Sequence, residues 1–203
     1  DLQGNAIIAE RMKAFAALYQ NEAKVIITTI DALMSAAVPF EQLMSHVIKL
    51  KEGDELDLEK LKHDLTVMGY ERVGRVEEPG QFTVHGGIAD VYPLTMEVPV
   101  RIELWGDEID SIRSFDPESQ RSLENLEELT IYPAVEHIGD KDMVSFLDYF
   151  PEERTIIFLD EPNRLTEKGG AVEEEYRQSR MHREEKGSRN LPENWLCSFC
   201  LLY

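Results

Sequence analysis

Gln81 to Asp116 reads QFTVHGGIADVYPLTMEVPVRIELWGDEIDSIRSFD, and its punctuation decides the fold. Gly86-Gly87 and Gly106-Asp107 are two-residue turn signals between short runs rich in Val, Ile and aromatic residues. Such runs, alternating in polarity at every second residue, predict antiparallel strands. Working outward, YERVGRV (70–76) precedes this stretch across the Glu78-Pro79-Gly80 turn, and EELTIYP (127–133) follows beyond Asp116-Pro117. Upstream, Asp57 to Met68 (DLEKLKHDLTVM) carries Leu58, Leu61 and Leu65 at helical spacing, with Gly69 as a C-terminal stop. His46 to Leu50 is a further candidate strand. One helix over an antiparallel sheet makes an α+β domain of about 85 residues, spanning 46–132.

The flanks have a different rhythm. Gly4 to Tyr19 sets Ile7, Ile8, Met12, Phe15 and Leu18 on one helical face. KVIITT (24–29) is a β-branched strand candidate, and Asp31 is a candidate cap for a helix from Ala32 that Pro39 ends. Beyond Pro133, Met143 to Tyr149 predicts a short helix, Thr155 to Leu159 a buried strand, and Leu165 to Lys186 a long charged helix with Glu173 and Arg177 four apart. Helix, apolar strand, helix is the order of an α/β layer. The expected organisation is such a layer (1–45 and 133–203) interrupted by the inserted antiparallel domain (46–132). The chain begins without Met and within a pattern, so a truncated start of the first domain is expected.

Charge narrows the function classes. Across 203 residues, 40 acids against 21 bases give −19, and residues 117–175 alone hold 16 acids and five bases, a net of −11. A duplex-DNA binder needs clustered Lys and Arg to displace counterions, so duplex binding by this chain is not expected. A solvated surface explains most such acidic runs, and a basic protein partner is the sharper alternative. No apolar run approaches the roughly 20 residues that span a bilayer, so a cytoplasmic protein is expected.

Catalytic templates are missing. TIIFLDEP (155–162) ends in Asp160-Glu161, the carboxylates that a P-loop ATPase presents to magnesium and water, but no G-x-x-x-x-G-K-[ST] loop exists to hold phosphates. The five histidines show no metal-ligand spacing, and G-x-S-x-G is absent. Cys197 and Cys200 form a single C-x-x-C, half of a zinc site, and are expected to be reduced thiols. What remains is surface: Arg72, Arg75, Phe82, His85 and Arg101 are cationic and aromatic residues of the types that anchor protein interfaces.

GYERVGRVEEPGQFTVHGGIADVYP (69–93), PVRIELWGDEIDSIRSFDPESQRS (99–122), LTIYPAVEH (129–137) and FLDYFPEERTIIFLDEPNR (146–164) carry a family resemblance. The chain resembles the region shared by the excision-repair subunit UvrB and the bacterial transcription-repair coupling factor (Mfd), over about residues 7–180. Pro162-Asn163 stand where the family's ATPase strand continues with Ser-His, and no P-loop is present. Those departures are closer to the amino-terminal UvrB-like module of the coupling factor, which implies a degenerate P-loop-ATPase-like parallel α/β layer.

The resemblance implies a non-catalytic module that binds the UvrA subunit through the inserted domain, with Arg72, Phe82 and His85 as the partner-binding residues. His85 and Thr83 stand where UvrB has arginines. It further implies a carboxyl-terminal domain that masks this surface, and contacts with RNA polymerase and duplex DNA made by other domains. ATP and magnesium would serve the full-length protein and not this chain. The alternative is a UvrB-type, nucleotide-dependent handler of damaged DNA.

Overall fold

Gly86 (φ +58°) and Gly106 (φ +65°) adopt the left-handed backbone that tight hairpins demand. They fold β3 (Gln81–His85), β4 (Ile88–Val91), β5 (Val100–Trp105) and β6 (Glu108–Phe115) into an antiparallel meander. The computed structural model describes residues 2–22, 25–135, 143–186 and Leu196. The expectations for Lys24, His137, Cys197 and Cys200 lie outside the described residues. The protein combines helices with antiparallel and mixed sheets, and it divides into two compact units, 1–24 with 42–138 and 25–41 with 139–203.

The first unit holds a six-stranded sheet of order β2-β3-β4-β5-β6-β7, with β2 at Glu71–Arg72 and β7 at Ser122–Asn125. β2 runs parallel to β3, Arg72 opposite Phe82, where an antiparallel neighbour was expected. After α4 (Leu58–Val67) the chain already travels in the β3 direction, so only two residues pair before it leaves for the Gly80 turn. β7 is a strand that the sequence reading did not contain. β8 (Glu128–Ile131) leaves the sheet and pairs with β1 (Ile48–Lys51) in a separate antiparallel ribbon.

α4 covers one face of the sheet. Asp57 caps it by accepting from the Glu59 and Lys60 amides at 2.9 and 3.2 Å. Leu61 and Leu65 pack into one core with Phe82, Val84, Ala89, Val91, Val100, Ile102, Ile109 and Ile112. Ile109 and Ile112 are three apart, yet both are buried, because the β5–β6 register slips beside Glu103–Leu104 and leaves Asp110 as a bulge. Gly69 ends α4 at φ +87°, and a Cβ there would collide with the Val135 side chain. Next to it the Tyr70 hydroxyl donates to the Tyr132 carbonyl at 2.8 Å, and burial pushes this phenol far above its ordinary pKa.

α1 (Leu2–Tyr19) belongs to this same unit, whereas the expected division put it with the α/β layer. Its buried stripe is Met12, Phe15 and Ala16, and Ile7 is exposed. Gln20 donates to the Tyr132 hydroxyl at 3.0 Å, and Lys49 lies 4.8 Å from the Tyr19 ring centroid.

In the second unit α2 (Ile30–Met34) is capped by the Thr29 hydroxyl, which accepts from the Ala32 amide at 3.3 Å, so the expected Asp31 cap is corrected by two residues and Asp31 lies inside the helix. α3 (Phe40–Met44) follows. The Met143–Tyr149 helix is a 3₁₀ turn at Phe146–Tyr149 with a capping box on Ser145 and Asp148. α5 (Pro162–Glu185) realises the long charged helix, but Arg177 engages Glu174 at 2.6 Å, one turn position closer than expected. Two strand expectations are corrected. Residues 25–29 and 155–159 form no ladder among the described residues, and Ile27 (94% exposed) and Phe158 (89%) face solvent. β-branched composition gives extended backbone, but a strand needs a hydrogen-bonded neighbour, and neither run has one in the described residues.

Candidate partner-binding surface

With α4 on one side, the opposite face of the sheet is set by alternation. Phe82, Val84, Ala89, Val91 and Ile102 point into the core, so Thr83, His85, Ile88, Asp90, Arg101 and Glu103 point outward. Register places Thr83 opposite Asp90, Asp90 opposite Arg101, and Arg101 opposite Arg113.

The arginines on this face are tied down in its plane. Arg101 forks onto Asp90 with Nε and Nη2 each 2.7 Å from a carboxylate oxygen. It also donates to the Gln120 side-chain Oε1 at 3.0 Å and lies 4.7 Å from the Phe115 ring centroid. The bonded Asp90 carboxylate raises the Arg101 pKa above its ordinary value. Arg113 pairs with Glu103 at 2.5 Å, neutralising both. Arg75 donates to the Pro117 and Glu118 carbonyls at 2.7 Å each. Arg75 and Arg101 therefore act as internal ties within the chain.

The loop they hold, Asp116–Gln120, closes on itself. Asp116 accepts from the Ser119 amide at 2.6 Å and hydroxyl at 2.7 Å, and these bonds hold its pKa below the ordinary carboxylate range. A depressed folded-state pKa adds stability that is present above the unfolded value, about 3.9, and is lost as pH falls through the lower folded value. Asp116→Ala should melt below wild type at pH 7. The gap should close as pH drops below about 3.9. Thermal melts across that range test it, and a gap that is constant with pH refutes the linkage.

The expected partner-binding residues do not form one patch. Phe82 is fully buried (0% exposed) beneath α4, so its expected surface role is corrected: its strand phase points into the core. Arg72 is exposed on the edge strand, its side chain makes no hydrogen bond or ion pair among the described residues, and by register it stands on the Phe82 side of the sheet. His85 is exposed on the other face, its Nε2 2.8 Å from the Thr83 hydroxyl. Asp160 and Glu161 are both exposed; Glu161 has φ +50° before α5 and pairs with Arg164 at 2.5 Å.

A residue that sequence reasoning missed stands out. Trp105 is 84% exposed. Its phase opposite to Ile102 and Leu104 was the available signal. A groove of about 1220 Å³ borders β1, α4 and the two hairpin turns, and its charged lining includes the Lys60–Asp64 pair at 3.3 Å and the cap Asp57. Among the described residues no group of three or more His, Cys, Asp or Glu is placed to hold a metal, and no helix is long and apolar enough to cross a membrane.

Residues 48–137, most of the first unit, match the family described as UvrB interaction domain. Over 145 residues, 71% of this chain, the sequence is 38% identical to the transcription-repair-coupling factor of Staphylococcus haemolyticus (strain JCSC1435). It is 37% identical over the same length to that of Staphylococcus aureus (strain MRSA252), and 40% identical over 130 residues, 64% of the chain, to that of Bacillus subtilis (strain 168). The matched segments span 12%, 12% and 11% of those proteins.

Proposed function

We propose that this chain is a non-catalytic module that captures UvrA for transcription-coupled repair, a reading supported by the match of residues 48–137 to the UvrB interaction domain family and by the similarity to transcription-repair-coupling factors. The capture lies in the inserted domain, 46–132. Nucleotide, duplex DNA and RNA polymerase are handled by other parts of the longer protein, and a carboxyl-terminal domain masks the surface until it is needed. In this reading Asp160 and Glu161 turn over no nucleotide.

The observation that carries the reading is the coincidence of the matched family region with the sheet unit, on whose edge the Arg72 side chain stands exposed and without a partner among the described residues. An arginine in that state has donors ready for a partner's carboxylate or carbonyls, and Arg is enriched among interface hot spots. Titrating purified UvrA onto the chain tests this. Arg72→Ala should weaken capture roughly thirtyfold with an unchanged melting temperature, since a solvated arginine adds little to stability. Wild-type affinity in that variant removes Arg72 from the interface, and no capture by the wild-type chain overturns the function.

A further inference from the structure

Trp105 closes β5 against a two-residue turn, Gly106-Asp107, and pairs with Glu108 across the hairpin. Its strand neighbours Ile102 and Leu104 are turned into the core, so the indole stands on the outer face of the sheet. On the adjacent strand Ile88 is opposite Glu103, which places its side chain diagonal to the indole, within reach of an aromatic ring. Ile88 is 39% exposed. His85 is opposite Ile88 in turn. His85, Ile88 and Trp105 thus make one row across three strands at one end of the sheet, and two of the three are large apolar residues.

Such a row is not explained by the fold. Trp105 lies outside the core cluster and among the described residues its ring stacks on no other aromatic, so a large apolar side chain is left in water. Contiguous exposed apolar side chains rimmed by polar groups mark interaction sites, and Trp is among the residues most enriched at hot spots. The rim here has one sign. Asp107, Glu108 and Asp110 are all exposed, and none has an ion-pair partner among the described residues. Glu108 stands directly opposite Trp105 across the hairpin, with Asp107 in the turn beside it and Asp110 in the bulge that follows. The outer-face arginines cannot offset them, because Arg101 and Arg113 are already matched to Asp90 and Glu103.

We propose that Trp105, supported by Ile88, is the apolar hot spot of the partner interface, and that it enters an apolar cleft rimmed by Lys or Arg on the partner. This rests on the reading of UvrA as the partner and adds to it the chemistry of the contact. Insertion of the indole supplies apolar burial, and the basic rim pairs with Asp107, Glu108 and Asp110. Arg72 lies on the other side of the sheet edge, so the two contacts are separate.

The test is a titration of purified UvrA onto the chain, with wild type, Trp105→Ala, Trp105→Phe and Arg72→Ala compared at two salt concentrations. Trp105→Ala should bind at least thirtyfold more weakly with an unchanged melting temperature, because the ring is solvated in the free protein. Trp105→Phe should recover most of the affinity, and wild-type binding should weaken as salt rises. Wild-type affinity in Trp105→Ala overturns the hot spot while leaving UvrA as the partner. Salt-independent wild-type binding overturns the basic rim. A wild-type chain that fails to bind UvrA overturns the function and this proposal together.

Discussion

Phe82→Ala should destabilise the sheet unit by about 3–5 kcal/mol. Phe82 is fully buried, on the central side of β3, packed with the α4 leucines and the β4 and β5 core residues. Removing a buried phenyl ring loses its transfer free energy and leaves a cavity, together about 3–5 kcal/mol. Domains of this size are stable by about 5–15 kcal/mol, so the variant retains little margin. Urea titration followed by circular dichroism measures the loss. The same experiment separates core from interface: a variant that melts like wild type yet fails to bind UvrA returns Phe82 to the surface. Loss of binding in this variant is expected as a consequence of unfolding and says nothing about a contact made by the ring.

Arg101→Ala should cost about 2–4 kcal/mol, nearly as much, without removing any apolar core residue. The Asp90 side chain is only 10% exposed and takes both hydrogen bonds from one guanidinium. Removing that fork strands a desolvated carboxylate, which is the expensive way to break a buried pair. The guanidinium is about a quarter exposed, which keeps the figure below the full buried-pair cost. The variant also releases Gln120 and uncovers the Phe115 ring. Replacing both partners, Asp90→Val with Arg101→Val, should recover much of the loss, since β-branched pairs suit adjacent strands. Chemical denaturation of the two single variants and the double variant gives the coupling energy. A cost below about 0.5 kcal/mol for Arg101→Ala shows the pair to be a solvated surface contact.

Much of the sheet unit was legible because its determinants are local. Gly86, Gly106 and Gly69 each occupy left-handed backbone that favours glycine, so turns and the α4 stop follow from composition. Leu61 and Leu65 recur at helical spacing, and Asp57 stands where a cap is needed. The run 122–125 escaped notice because Ser-Leu-Glu-Asn has little strand propensity, and only its pairing with β6 makes it β7. The surface was less legible than the fold. Arginine on a strand is a candidate anchor in sequence, but whether it is free depends on the residue opposite it, which register decides.

Turn positions, the helix that covers the sheet, strand phases and the acidic charge were set by the sequence alone, because each depends on neighbours within a few residues. Tertiary structure decided the rest. It buried Phe82, matched Arg101 to Asp90 and Arg113 to Glu103, ran β2 parallel to β3, and sent β8 to β1. It let Ile109 and Ile112 share the core through the Asp110 bulge, and it left Trp105 in solvent. Each of these depends on which distant segment lies alongside. Backbone hydrogen bonding between strands is indifferent to side-chain identity, so register is settled only when the whole core closes around one arrangement.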